Sequence, residues 1–245
     1  MPHKELTIYV DIISGYSYVL TERLALFFEH LPASWKPSPD FSIKLVIVDL
    51  LGLFVKCNNP LFSGTEKNKM PQFMRDVKWA VDTLGVPFAG QKNKEIRGAD
   101  GKVMRPELAL ALLQMLNDEE QPFHMVYNAY RCLQRQLVGN GVSIRGVELI
   151  ADALEPAFDR ETALSWAKKA EENKEKLLEE IEETTVKFFE AGGFGCPTLL
   201  PKVEDQDSEM MFFGSDRLEH AAHILGLEYL PVGKYKSEGF KPLTA

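Results

Sequence analysis

The feature that most restricts how this 245-residue chain can fold is where its strand-like segments lie. They cluster near the two ends, and everything between them carries helical periodicity. Leu6–Ile12 (LTIYVDI) is a β-branched and aromatic run that reads as a buried strand. It breaks at Ser14-Gly15, after which Tyr18, Leu20, Leu24, Phe27, Phe28 and Leu31 recur at helical spacing until Pro32 stops them. Beyond a Pro-containing loop, Phe41–Val48 (FSIKLVIV) is a second strand. Two strands flanking one helix form a βαβ unit, which predicts parallel pairing through a right-handed crossover.

From about Pro71 the pattern is helical. Phe73, Val77, Ala80, Val81 and Leu84 make one face that Gly85 ends. A turn is predicted at Ala99-Asp100-Gly101, and ELALALLQML, VYNAYRCLQ and VELIADAL are further helices. The charged stretch Lys168–Glu183 carries Leu177, Leu178, Ile181, Thr185, Phe188 and Phe189 on one stripe, so it reads as one long helix with a solvated face. Gly192-Gly193 ends it. Strands follow at Thr198–Val203 and Met210–Phe213 around an acidic turn, then a last helix from Ser215 to Gly226 and a tail expected to wrap loosely. With the middle removed, the order is that of a thioredoxin-like fold. The expectation is an α/β protein in which residues 1–60 and 185–245 build one thioredoxin-like domain, and 61–184 form a large inserted helical domain.

The formal charge of −8 and the lack of a basic stripe argue against a nucleic-acid partner. Three cysteines, Cys57, Cys132 and Cys196, show neither C-x-x-C nor metal-ligand spacing, which fits a reducing compartment and no metal. No apolar run is long enough to span a bilayer, and no targeting segment is recognised, so the expectation is an intracellular soluble protein without membrane insertion. His220 and His223 are three apart on the last helix without an acidic partner to complete a metal set.

Ligands of open α/β sheets collect beyond the carboxyl ends of the parallel strands, at helix N-termini. Here that place is Ser14-Gly15-Tyr16-Ser17. Its amides and the positive end of the helix dipole suit an anion, and a Ser14 hydroxyl adds one more donor. Bringing a thiol from a pKa of about 8.5 to near neutral takes about 2–3 kcal/mol, within reach of such a set. The competing structural reading is that Ser14 or Ser17 simply caps the helix. Phe194-Gly195-Cys196-Pro197-Thr198 precedes a strand, and a cis proline there would expose the Cys196 backbone for pairing. Phe213-Gly214-Ser215-Asp216-Arg217 is another strand-to-helix junction, equally readable as a capped helix.

Taken together, YVDIISGYSYV, DVKWAVDTLGVPF, GGFGCPT and FFGSDRLEHAAHILG resemble the kappa-class glutathione transferases. That family is grouped with the 2-hydroxychromene-2-carboxylate isomerases and the DsbA-like oxidoreductases. The resemblance implies that Ser14 is the catalytic serine, hydrogen-bonding the sulfur of glutathione beside Gly15 and Tyr16. It implies further that Pro197 is a cis proline, that the Cys196 main chain pairs with the cysteinyl part, and that Ser215 and Asp216 hold the γ-glutamyl end. Asn58 (CNNPL) and Lys69 (NKMPQF) match further site positions. The implied chemistry is glutathione activated as a thiolate for conjugation to a small electrophile or for peroxide reduction, in a homodimer. Glycine stands at 15 where the family usually has proline, which is expected to loosen the turn. Cysteine at 196 replaces a more usual apolar residue, close enough to a bound sulfur for a mixed disulfide, although a buried cysteine acting as a small hydrophobe is the simpler reading. The alternatives are an isomerase of the chromene-carboxylate type on the same glutathione site, or a non-catalytic binding protein. Dithiol exchange has no obvious nucleophile, because Ser14 and Ser17 occupy the positions of the reactive pair.

Overall fold

The computed structural model describes residues 2–59, 68–90, 95–96, 103–204, 210–231 and 235–244. β1 (Lys4–Val10) leads through the Asp11–Ser14 turn into α1 (Gly15–His30); a short α2 (Pro32–Trp35) precedes β2 (Phe41–Ile47) and α3 (Leu50–Lys56). The helical block is α4 (Lys69–Leu84), α5 (Glu107–Asp118), α6 (Phe123–Gln134), α7 (Val147–Leu154), α8 (Arg160–Glu172) and α9 (Lys174–Glu190), with α6 continuing as a π-helical stretch over Arg135–Asn140. The chain then returns as β3 (Thr198–Val203) and β4 (Phe212–Phe213), a 3-10 turn at Ser215–Arg217, and α10 (Leu218–Leu225). The sheet order is β2-β1-β3-β4. β1 and β2 are parallel from Lys4↔Phe41 to Val10↔Ile47, and β3 runs antiparallel to both β1 and β4.

β1 lies between β2, which pairs with it from Lys4 to Val10, and β3, which pairs from Lys4 to Tyr9, and its Leu6, Ile8 and Val10 are buried. Burying each such side chain contributes about 1.5–3 kcal/mol. α10 packs on β1 and β3, while α5 and α6 pack on β2. One continuous apolar cluster joins the sheet to the helical block, from Leu6 and Ile47 through Leu112 and Leu133 to Ile181 and Leu225. The division expected at 184/185 lies inside α9. A smaller cluster, with Tyr18, Val77, Val81 and Val138, fastens α4 to α1.

Three expectations are corrected. The single helix read through Lys168–Glu183 is two, separated at Asn173. β4 keeps only Phe212 and Phe213, the residues that pair with Leu199 and Thr198. The tail is tied down: the Asn128 side chain bonds both the N–H and the C=O of Leu243, each at 2.8 Å. The turn at Ala99-Asp100-Gly101 lies outside the described residues.

Candidate functional site

An open cavity of about 210 Å³ lies where the carboxyl end of β1, the start of α3, α4 and the Phe194–Cys196 loop meet. Its polar floor is Ser14, Gly15, Tyr16 and Cys196, and most of its wall is apolar, including Leu50, Phe54, Phe73, Phe88, Phe194 and Phe213. Among the described residues no charged side chain lines it.

Ser14 is the N-cap of α1. It takes an extended backbone (φ −72°, ψ 116°), and its Oγ accepts the Ser17 amide at 3.1 Å. The capping reading is therefore fulfilled. The same Oγ donates to the carbonyl oxygen of Cys196, 2.9 Å away across 182 residues of sequence. The hydroxyl thus stitches the N-terminal turn to the peptide that precedes Pro197, and the Cys196–Pro197 bond is cis. Thr198 Oγ1 donates to Gly195 O at 2.8 Å, fixing the approach to that peptide. The Gly15 and Tyr16 amides, in the opening turn of α1, have no intrahelical acceptor, and both residues line the cavity.

Cys196 is buried with only its margin on the cavity. Burial pushes its thiol well above the ordinary value, and the carboxylates of Asp11 and Asp49 push it further. It is a poor thiolate at neutral pH. Burial also raises the thiol of Cys57, and it raises that of Cys132 to about 12 against the opposing pull of Arg131. Tyr16 is half-buried; burial raises its phenol, followed by the carboxylates of Asp76 and Asp216 nearby.

The structure brings Ser14, Gly15, Tyr16 and Cys196 onto one cavity. Pro197 lies directly behind, its carbonyl accepting the Gly214 amide at 2.9 Å, which draws in the third junction. Ser215 is buried in the turn that follows, its carbonyl accepting from the buried Arg23 guanidinium, while Asp216 is exposed beside Arg217. Phe213, not Ser215 or Asp216, reaches the cavity itself. Asn58 ends α3 in the left-handed conformation (φ 50°), and its neighbour Asn59 lines the cavity. Lys69 opens α4, where Met70 supplies the lining atom set. Gly15 is enclosed by Phe73 and Val77 of α4. The apolar wall escaped sequence reading because its residues look like core: Phe73 continues the buried stripe of α4, and only its place at the end of that stripe hinted otherwise.

No protein-family model and no curated protein matches the chain. Solved structures do. A 2-hydroxychromene-2-carboxylate isomerase aligns at 17% identity over 91% of this chain and 94% of its own, with a TM-score of 0.58. A probable DsbA oxidoreductase from Streptomyces coelicolor aligns at 11% identity, covering 91% of this chain and 88% of its own, with a TM-score of 0.59. The cytosolic disulfide reductase DsbM from Pseudomonas aeruginosa gives 14%, 91%, 97% and 0.59, and its structure with GSH gives 16%, 82%, 89% and 0.51. The protein is of the thioredoxin-like class with an inserted helical block. Its fold is the one shared by these DsbA-like and 2-hydroxychromene-2-carboxylate isomerase structures. Among the described residues no helix is long and apolar enough to cross a membrane, and no group of three or more His, Cys, Asp or Glu is placed to hold a metal.

Proposed function

We propose that this cavity binds glutathione with its sulfur at Ser14 and activates it as a thiolate for attack on a small apolar electrophile, as in the kappa-class transferases. The observation that carries the reading is the Ser14 Oγ–Cys196 O bond of 2.9 Å at the cavity floor. Here the hydroxyl donates its hydrogen to a carbonyl. An arriving thiolate accepts that hydrogen instead, and the Cys196 carbonyl is released to accept the cysteinyl N–H of the ligand. One exchange of partners satisfies both, with the opening amides of α1 as further support for the anion. The sulfur lone pair then forms the S–C bond, the leaving group departs with its bonding electrons, and the thiol proton has already gone to solvent.

Two observations favour the ligand's sulfur over a protein thiol as nucleophile. Serines stand at both dithiol positions, and Cys196 is held as a thiol by its burial. The lining favours an uncharged acceptor over a chromene carboxylate, whose charge would meet no cationic side chain among the described residues that line the cavity. In this reading Ser215, Asp216, Asn58 and Lys69 grip the peptide arms of glutathione, and the active species is a homodimer.

The test is a titration with glutathione followed by thiolate absorbance against pH. Ser14→Ala is expected to raise the pKa of the bound thiol by about 1–2 units, the worth of one hydrogen bond to a charged acceptor, and to cut turnover more than affinity. A pH–rate profile identical in the two proteins overturns the proposal.

A further inference from the structure

Gly15 is tightly enclosed. A Cβ built on it would lie 3.1 Å from Phe73 Cζ and 3.1 and 3.3 Å from the two γ-carbons of Val77. These separations are tighter than ordinary carbon contacts of about 3.5–4.0 Å. The missing side chain is therefore a notch, and α4 uses it to approach the first residue of α1. Val77 is fully buried there. Phe73 is not: its ring tip abuts Gly15, its flank meets Tyr16 edge-on (5.0 Å between centroids, 86°), and its remaining surface lines the cavity. Ser14 immediately precedes Gly15, and Ser14 and Phe73 line the same cavity. The flanking lining residues of the same helix, Met70 and Met74, are unbranched and adaptable. Phe73 is held on two sides, by Gly15 and by Tyr16.

We infer that Phe73, seated in the Gly15 notch, determines acceptor specificity by excluding substrates branched at the carbon that bonds to sulfur. Linear or planar groups pass along the ring, while a quaternary carbon collides with it. This rests on the glutathione reading, since it takes the sulfur to sit at Ser14. The acceptor class follows: an apolar electrophile with a primary or flat, trigonal reacting carbon.

The experiment measures binding of glutathione, S-butylglutathione and S-tert-butylglutathione by calorimetry to the wild type, Phe73→Ala, Gly15→Ala and the double variant Gly15→Ala with Phe73→Leu. The readout is the ratio of the butyl to the tert-butyl affinity within each protein, which cancels any loss of active fraction. In the wild type the linear thioether is expected to bind about tenfold tighter or more, the discrimination a few misplaced carbons produce in a shaped pocket. Phe73→Ala should bring the ratio down to about threefold or less. Gly15→Ala, which presses the ring toward the cavity, should raise it, and the shorter leucine side chain in the double variant should return it toward the wild-type value. An equal ratio in the wild type and Phe73→Ala, with glutathione still bound, overturns this inference and leaves the glutathione reading standing. If the wild type binds none of the three, the reading itself falls and takes the inference with it. Should Phe73→Ala fail to fold, Phe73→Leu alone replaces it, with the same direction of change decisive.

Discussion

Asp11 closes β1 with its carboxylate out of solvent, Oδ1 accepting the Ile13 amide at 2.7 Å and Oδ2 the Leu50 amide at 2.9 Å. It thereby joins the turn that carries Ser14 to the start of α3. Burial raises its pKa to about 7, against the pull of those two amides; Asp49 adds to the rise and Arg105 opposes it. The unfolded carboxyl has already lost its proton near pH 4, while the folded one holds it to about 7. By linkage, this group's stabilisation is present below pH 4 and is lost as pH rises through 7. The slope is at most about 1.4 kcal/mol per pH unit. Urea unfolding from about pH 4.5 to 8 should show the wild type losing stability relative to Asp11→Asn as pH rises. The Asn variant carries its own fixed penalty, so the slope of the difference decides, and a flat difference would contradict the assignment. Nothing near Asp11 in sequence announces this role, because Leu50 lies 39 residues on. Ser14, Gly15 and Cys196-Pro197 were legible because strand ends, caps and prolines are local signals. The carbonyl that receives the Ser14 hydroxyl was not, since it comes from the other end of the chain.

At the scale of elements, β1, α1 and β2 were legible because their periodicities are clean and bounded by Ser-Gly and Pro. The break between α8 and α9 was hidden for a physical reason. The buried positions Ala163, Ala167 and Ala170 of α8 and Leu177, Ile181 and Phe188 of α9 stay in helical phase across Asn173, so one uninterrupted stripe serves two helices. α3 shows how a short element is held without length. Asp49 caps it, Oδ1 accepting the Leu51 amide at 3.1 Å, and Oδ2 lies 3.5 Å from Arg105 just before α5. Since α3 delivers Leu50 and Phe54 to the cavity, the cap matters to the site as well as to the fold. Asp49→Ala is expected to cost about 1–2 kcal/mol in chemical denaturation, and Asp49→Asn, which can still cap, well under half of that. Equal losses in the two variants would mean that the ion pair to Arg105, not the cap, secures the helix.

Across the whole molecule, the two ends of the chain depend on each other beyond the shared sheet. The C-terminal strap crosses from α4, where Ser237 N–H bonds Leu84 O at 2.8 Å, past His30, which stacks on Tyr235, to α6. On α6 the buried Arg131 is held by Glu22 through Nε and Nη2, and its Nη1 donates to the strap carbonyl of Lys241 at 2.8 Å, with Phe240 beneath the guanidinium. The sequence suggested a loose tail because Gly, Lys and Pro dominate it. The groups it offers to Asn128 and to Arg131 Nη1, from the middle of the chain, are main-chain ones, which carry no residue signature. Removing the strap would strip Arg131 Nη1 and Asn128 Nδ2 of their carbonyl acceptors, which carries a cost. Asn128→Ala, which breaks both bonds to Leu243 in the full-length chain, should cost about 1–3 kcal/mol. A chain ending at residue 240 should lose more, because it also strips Lys241 O from Arg131. Urea midpoints of the two variants against the wild type check the order. If both midpoints match the wild type, the strap is a passenger and the buried Glu22–Arg131 pair is complete without it; if the truncation falls furthest, the last residues of the chain complete a core laid down by the first.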